Sequence, residues 1–326
     1  MPIRIIGEPH VGPPSQQSLP PRFAARLRRA MRRLESSTQR PGSESVTAPA
    51  TCNAHRAVTV VCISDTHNTT PSPLPPGDIL LHAGDLSQYG TFPEIQAQLS
   101  WLAAQPHPHK VVVAGNHDLL LDPVFAAAHP DRELDLRPGQ RRDDLVWGDV
   151  RYLERESLDL PIQGTNRTVR LFGSPWTPRH GHWAFQYGKD STTHPLGTAP
   201  SETDVILTHG PPKGYLDAAG GGCEMLLADV WRIRPKLLVC GHIHSGRGEE
   251  WLRYDGVDKW YGNVMLGRRP WLSIVCLALY YPWLLLATAL RLGPPRDQTR
   301  GTHLVNAAVV GGRGNVERRE AVVATI

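Results

Sequence analysis

Cysteine is scarce in this chain. Five occur among 326 residues: Cys52, Cys62, Cys223, Cys240 and Cys276. The number is odd and no CxxC pair is formed, which argues against a disulfide framework and for a reducing compartment. Cys62 and Cys240 lie inside apolar runs and read as buried thiols. A strong excess of one charge is also lacking. The formal net charge is +4, too mild to imply a nucleic-acid partner by itself. Much of that excess falls between Arg22 and Arg40, so the remainder is nearer neutral. The opening MPIRIIGEPHVGPP contains no apolar h-region, so no secretory signal is expected. Together these features predict an intracellular, cytoplasmic protein.

The composition is otherwise ordinary, at 40% hydrophobic and 20% charged residues. The length suffices for one large core or two small ones. The 15 histidines carry more information, because several fall at the ends of apolar runs.

Residues 1–55 read as a basic, largely disordered N-terminal extension outside the core. Pro13, Pro14, Pro20 and Pro21 interrupt its first part. FAARLRRAMRRLESS then spaces Phe23, Leu27, Met31 and Leu34 for one face of a short amphipathic helix, with arginine on the other. A solvated segment helical only in part, a membrane-surface contact and a mitochondrial targeting role all fit that pattern. TQRPGSESVTAPAT reads as linker.

From Val58 the texture changes. VTVVCISD, DILLHAGD, KVVVAGNHD, TVRLFGSP, DVILTHGPP and KLLVCGHIH share one design. Each is a short, charge-free apolar run that ends in a loop of Gly, Asp, His or Pro. Such runs predict strands buried on both faces. FPEIQAQLSWLAAQ and DPVFAAAHPDRELD read as helices between them, and HLVNAAVV as one more strand of the same core. The expected class is α/β, with sheet covered by helices, and ligands bind at the carboxyl ends of such strands.

The strand ends supply the chemistry in order: Asp65-Thr66-His67, Gly84-Asp85, Gly115-Asn116-His117-Asp118, Thr208-His209-Gly210 and Gly241-His242-Ile243-His244. One such end alone is an ordinary turn; five in one chain are not. Imidazole and carboxylate donors together suit Mn, Fe or Zn. In DxH and HxH the intervening residue points away, so both outer side chains can face one pocket. The donors are too many for one tetrahedral ion and enough for two divalent ions bridged by a carboxylate. Glycines beside them let the backbone turn without a Cβ clash.

The ordered blocks ISDTH, GD, GNHD, THG and GHIH resemble the calcineurin-like metallophosphoesterases over roughly residues 58 to 310. GDILLHAGDLS, GSPWTP, WAFQ, DVILTHGPPKG and VCGHIHSG resemble the metallophosphoesterase-domain-containing branch of animals and fungi. The resemblance implies a four-layer α/β/β/α sandwich with mixed sheets; the domain is expected to span 56–315, with an apolar insertion at 268–292 and a C-terminal tail at 316–326. It implies that Asp65, His67 and His244 hold one metal, that Asn116, His209 and His242 hold the other, and that Asp85 bridges them. Both histidines of the final block are present, which favours catalysis over a retained but inactive fold. A pair of ions lowers the pKa of bound water and offsets charge on phosphate oxygens. His117 is then the expected acid for the leaving alkoxide, with Asp118 orienting it.

Trp176, Trp183 and Phe185 are the expected pocket mouth, placed either to stack on a nucleobase or simply to pack a loop. The expected substrate is a small phosphodiester, such as a nucleotide or cyclic nucleotide. The alternative is a membrane-associated binding or regulatory protein with weak phosphoesterase activity.

One stretch stands apart. PWLSIVCLALYYPWLLLATAL, from Pro270 to Leu290, carries no charge and is bracketed by Arg268, Arg269 and Arg291. Its length is that of a membrane span, and Trp271, Tyr280 and Tyr281 favour interfaces. A single crossing would leave HLVNAAVV on the wrong side of a membrane, and Pro282 can break the run into two short helices. A monotopic or re-entrant membrane contact through 270–290, a true span, and a buried or oligomer-forming hairpin are the three readings.

Overall fold

A computed structural model describes residues 19–37, 56–132, 134, 137–188, 194–197, 199–218, 220–290 and 301–326. The first sheet begins with β1 (Thr59–Ile63), β2 (Ile79–His82), β3 (His109–Val112) and β4 (Val150–Tyr152). The second contains β5 (Glu156–Pro161) and β6 (Thr168–Ser174), then β9 (Val205–Thr208), β10 (Leu237–Cys240), β11 (Gly248–Leu252) and β12 (Thr302–Asn306). Two short pairs lie outside the sheets: β7 (Thr177–Pro178) with β8 (Gln186–Tyr187), and β13 (Val310–Gly311) with β14 (Glu317–Arg318). The last strand, β15 (Val322–Thr325), returns to the first sheet and runs antiparallel to β1.

The strand orders are β15-β1-β2-β3-β4 and β11-β12-β10-β9-β6-β5. In the first sheet β1 to β4 are parallel. In the second β6, β9, β10 and β12 are parallel, and the two edges, β5 and β11, are antiparallel. The chain therefore turns its parallel carboxyl ends, with the chemically active loops, to one rim.

Side-chain alternation explains why these strands are apolar throughout. Val60 and Cys62 of β1 point to a core shared with Leu171, Val205, Val239 and Val305 of the other sheet. Val61 and Ile63 point to the opposite face, against Ile95, Leu99 and Leu102 of α2 (Phe92–Ala103). In the second sheet Ile206, Leu238, Cys240 and Leu304 face outward onto helices. The central strands of both sheets are buried on both faces, and the layers run helix, sheet, sheet, helix, as expected.

The outer layer on the second sheet holds α1 (Leu19–Ser37), α4 (Glu224–Ile233), α5 (Gly256–Met265) and α6 (Pro270–Ala289). Here three expectations change. Residues 19–37 do not lie outside the core. Ala24 and Met31 of α1 are fully buried, and Arg28 is only 3% exposed. Arg28 donates to Asp258 at 2.6 Å and to Glu250, and lies over the rings of Tyr215 and Tyr261 at 4.5 and 5.0 Å. Arg32 adds Asp255 and Asp258. Arginines read as a solvated face are in part the docking contact itself. The rest of the proposed extension, 1–18 and 38–55, lies outside the described residues.

Second, the stretch 316–326 is not a tail but carries β14 and the edge strand β15. Third, Pro282 does not divide 270–290, because α6 is one helix. Ile274, Leu277, Leu284 and Ala287 keep one continuous buried face, and Pro282 is on the exposed side, so packing outweighs the lost bond. The segment read as a longer helix after Asp122 is short, α3 (Pro123–Ala128), followed by a 3-10 turn. HLVNAAVV does supply a strand, β12, between β10 and β11.

Candidate metal centre

The ligand positions sit where five loops leave the rim. Asp65, His67 and His244 bring donor atoms within 4.8 Å of one another, and so do Asp85, His209 and His242. Each cluster takes residues from loops of both sheets. Asn116 joins the second, with its Oδ1 3.0 Å from His209 Nε2. Asp85 lies between them: Oδ2 is 3.7 Å from His67 Nε2, and Oδ1 is 3.4 Å from His209 Nε2.

The backbone is unusual at these points. Asp65, His67, Asp85 and His242 have φ of 54°, 42°, 54° and 64°. Left-handed conformations are costly for residues with a Cβ and gather at functional sites. Two neighbouring glycines are fixed by space. A Cβ on Gly115 would lie 2.1 Å from Asp85 Oδ1, and one on Gly241 2.1 Å from Asp65 Oδ2.

The donor set fits divalent cations. Both ring nitrogens of His67 are buried with no hydrogen-bond partner, which is costly unless an ion takes one of them. Burial pushes His67 down to about 4 and His242 to about 3, so both rings are neutral lone-pair donors. Burial opposes ionisation of Asp65, but His244 outweighs it and holds the carboxyl well below its ordinary range. Asp85 is held down in the same way, chiefly by His209. Burial lowers His209, yet Asp85 raises it to about 9, and Asp65 similarly raises His244. The two histidines facing carboxylates thus gather positive charge, which a divalent ion would supply in their place.

Supporting contacts set the tautomers. His209 Nδ1 donates to the Ala83 carbonyl at 2.8 Å, leaving Nε2 for the centre. His244 Nδ1 donates to Asn315 Oδ1 at 3.0 Å, again freeing Nε2. Such outer partners orient ligating imidazoles. Asn315 was not foreseen; its only cue is a polar residue in a glycine-rich loop, GGRGN. His82, behind the site, was also missed. It meets Thr66 Oγ1 at 2.9 Å, and Thr66 in turn donates to Gln98.

His117 lies beside the centre, with its ring edge-on to His67 at 4.9 Å and stacked on Trp183 at 4.2 Å. Its Nδ1 donates to the Gln88 carbonyl at 2.8 Å. Asp118 does not orient this ring. Its carboxylate accepts from Gly115 N, Leu86 N, Ser87 N and Ser87 Oγ at 2.7 to 3.2 Å. It ties the Asp85 loop to the Asn116 loop because its side chain turns inward, where burial and nearby Asp85 raise it to about 6.

Of the expected mouth residues, Trp176 and Trp183 are partly exposed. Phe185 is only 1% exposed, against Trp176 and the first sheet's helix-side core, so it is not a stacking platform for a base. Its backbone N–H donates to Asp122, which also caps α3.

A family model described as calcineurin-like phosphoesterase matches residues 58–246. The chain belongs to that family. It is 41% identical over 295 residues to a probable rhamnogalacturonate lyase C of Emericella nidulans, covering 90% of this chain and 27% of that protein. It is 35% identical over 198 residues to human metallophosphoesterase domain-containing protein 1, covering 58% of this chain and 61% of the relative. A Caenorhabditis elegans UPF0046 protein is 34% identical over 198 residues, covering 58% of this chain and 64% of its own length. The chain thus spans about a quarter of the first relative's length and under two thirds of the other two.

Proposed function

We propose that the chain hydrolyses phosphate esters with two divalent ions, and that its preferred substrates are phosphodiesters of nucleotide or cyclic-nucleotide size. The observation that carries this reading is Asp85, with one carboxylate oxygen toward each cluster. A bridging carboxylate between two sites is the arrangement an in-line displacement at phosphorus uses. The lyase name belongs to a protein most of which has no counterpart here, and nothing in this centre favours that chemistry.

Such ions lower the pKa of water and neutralise phosphate oxygens when bound; Mn, Fe and Zn all suit these donors. The residues do the rest. Asp65, His67 and His244 would hold one ion, Asn116, His209 and His242 the other, and Asp85, between the clusters, would contact both. The Gln88 carbonyl accepts from Nδ1 of His117, so Nε2 is the atom left to deliver a proton to the leaving alkoxide, the imidazolium giving up its Nε2 proton and remaining as the Nδ1–H imidazole. Trp183, stacked on that ring, limits its rotation. Trp183 offers aromatic surface beside the centre for a base or other flat group, whereas Trp176 is occupied by Phe185 and by the Arg155 guanidinium 4.6 Å over its ring. Among the described residues four cysteines are free, three of them buried, which supports an intracellular, reducing location.

The test is turnover of an aryl phosphodiester, an aryl phosphomonoester and a set of cyclic nucleotides, by protein loaded in turn with Mn, Fe or Zn. The diesters should turn over faster. Protein that binds two ions yet hydrolyses none of these substrates would refute the reading. Asp85→Ala should lose metal and activity together. His117→Ala should keep its metal and lose turnover by roughly 10²–10⁴-fold, most for poor leaving groups. Equal rates for poor leaving groups in variant and parent would remove His117 from the acid role.

A further inference from the structure

Helix α6 is covered on one side only. Ile274, Leu277, Leu284 and Ala287 are buried against the outer helical layer, where α1 and α5 lie alongside. The other side is apolar and faces solvent. Trp271, Leu272, Val275, Leu279, Trp283 and Leu286 are between 52% and 71% exposed. From Trp271 they recur at helical spacing, forming one stripe along about 23 Å of helix. A continuous exposed apolar face of this length marks an interaction surface.

Charge at its margins indicates what covers it. Arg22, Arg26 and Arg29 are exposed on α1, and Arg268 and Arg269 are exposed at the start of α6. Phe23 is exposed among the α1 arginines. No acidic residue occurs from Leu19 to Leu34 or anywhere along α6. A second copy of the chain would bring this basic margin against its like, and the carboxylates of β11 and α5 beside α1, Glu250, Asp255 and Asp258, are already paired with Arg28 and Arg32. An anionic lipid surface supplies the apolar layer and the negative charge together.

Topology decides how the helix meets that surface. β11 precedes α6, β12 follows it, and the two are hydrogen-bonded neighbours, with Leu252 opposite Thr302. The chain therefore leaves and re-enters the same sheet on the same side. Although Pro270–Ala287 has the length and composition of a membrane span, its inner face already belongs to the protein core. We infer that α6 lies flat in the surface of an anionic membrane, exposed face down, with the arginines of α1 and the α5–α6 junction at the headgroups. This docking is independent of hydrolysis at the metal centre.

Flotation of the full chain with vesicles tests it, using phosphatidylcholine alone or phosphatidylcholine containing phosphatidylserine. The protein should float with the anionic vesicles and much less with the neutral ones. Leu279→Glu with Leu286→Glu should abolish flotation while leaving the melting temperature and aryl phosphodiester turnover unchanged, since both positions are exposed. Arg22→Glu with Arg26→Glu should weaken binding to anionic vesicles at least about tenfold. The inference fails if the parent does not float with either vesicle, or if the glutamate pair floats as well as the parent. It also fails if the parent is a dimer without lipid affinity and the glutamate pair turns it monomeric. Loss of turnover with flotation intact would count only against the phosphoesterase reading.

Discussion

Space around single atoms governs the metal centre. Gly115 is the clearest case, because the position of a Cβ there is already taken by the Asp85 carboxylate and its backbone. Gly115→Ala should displace Asp85, release metal and destabilise the fold by about 1–3 kcal/mol. Gly188, where a Cβ would meet nothing within 4 Å, is the control; alanine there should change stability by less than about 0.5 kcal/mol. Metal content and denaturant unfolding of the two variants decide the matter. A Gly115→Ala protein with full metal content would show that the Asp85 loop yields more easily than its packing implies. The left-handed backbone at Asp65, His67, Asp85 and His242 has the same logic. These conformations persist because neighbouring hydrogen bonds hold them, such as Asp65 N to the Gly84 carbonyl and His67 N to the Asp85 carbonyl.

Among the elements, α1 is the one whose attachment turns on a few charged contacts. Arg28 and Asp258 are almost wholly buried, and removing one partner strands the other charge away from water. Arg28→Ala should cost about 3–5 kcal/mol, read from denaturant unfolding; Asp258→Ala should cost a similar amount. A loss below that of an ordinary surface change would mean that α1 contributes little to the folded domain. This contact also shows where sequence reading stops. The apolar runs of β1, β2, β3, β6, β9 and β10, and the polar loops after them, are legible because burial on two faces leaves no charged residue in the run. The arginines of α1 carry no such mark. Whether an arginine is solvated or paired depends on Asp258 and Glu250, more than 200 positions away. Phe185 was misplaced for a related reason, since an aromatic residue in a loop looks alike whether it lines a pocket or plugs a core. Asn315 escaped notice because a carboxamide that supports a histidine has no spacing of its own.

For the whole molecule, the ions should act as ligands of the native state alone. Binding at a hundred times the dissociation constant adds about 2.7 kcal/mol. A chelator should therefore lower the thermal midpoint as well as abolish turnover, and Mn, Fe or Zn should restore both. Scanning calorimetry before and after metal removal checks this; an unchanged midpoint would mean that the centre is preformed but does not bind ions tightly.

Each cluster straddles the sandwich. Asp65 and His67 of one site, and Asp85 and Asn116 of the other, come from loops of the first sheet, while His209, His242 and His244 come from the second. Neither sheet by itself is a chelator. During synthesis the residues through Asn116 emerge well before His244, so a nascent chain that has formed only β1 to β4 offers a cation no complete cluster. Metal capture would thus be a late event, with cellular metal supply acting on a chain whose two sheets have already met.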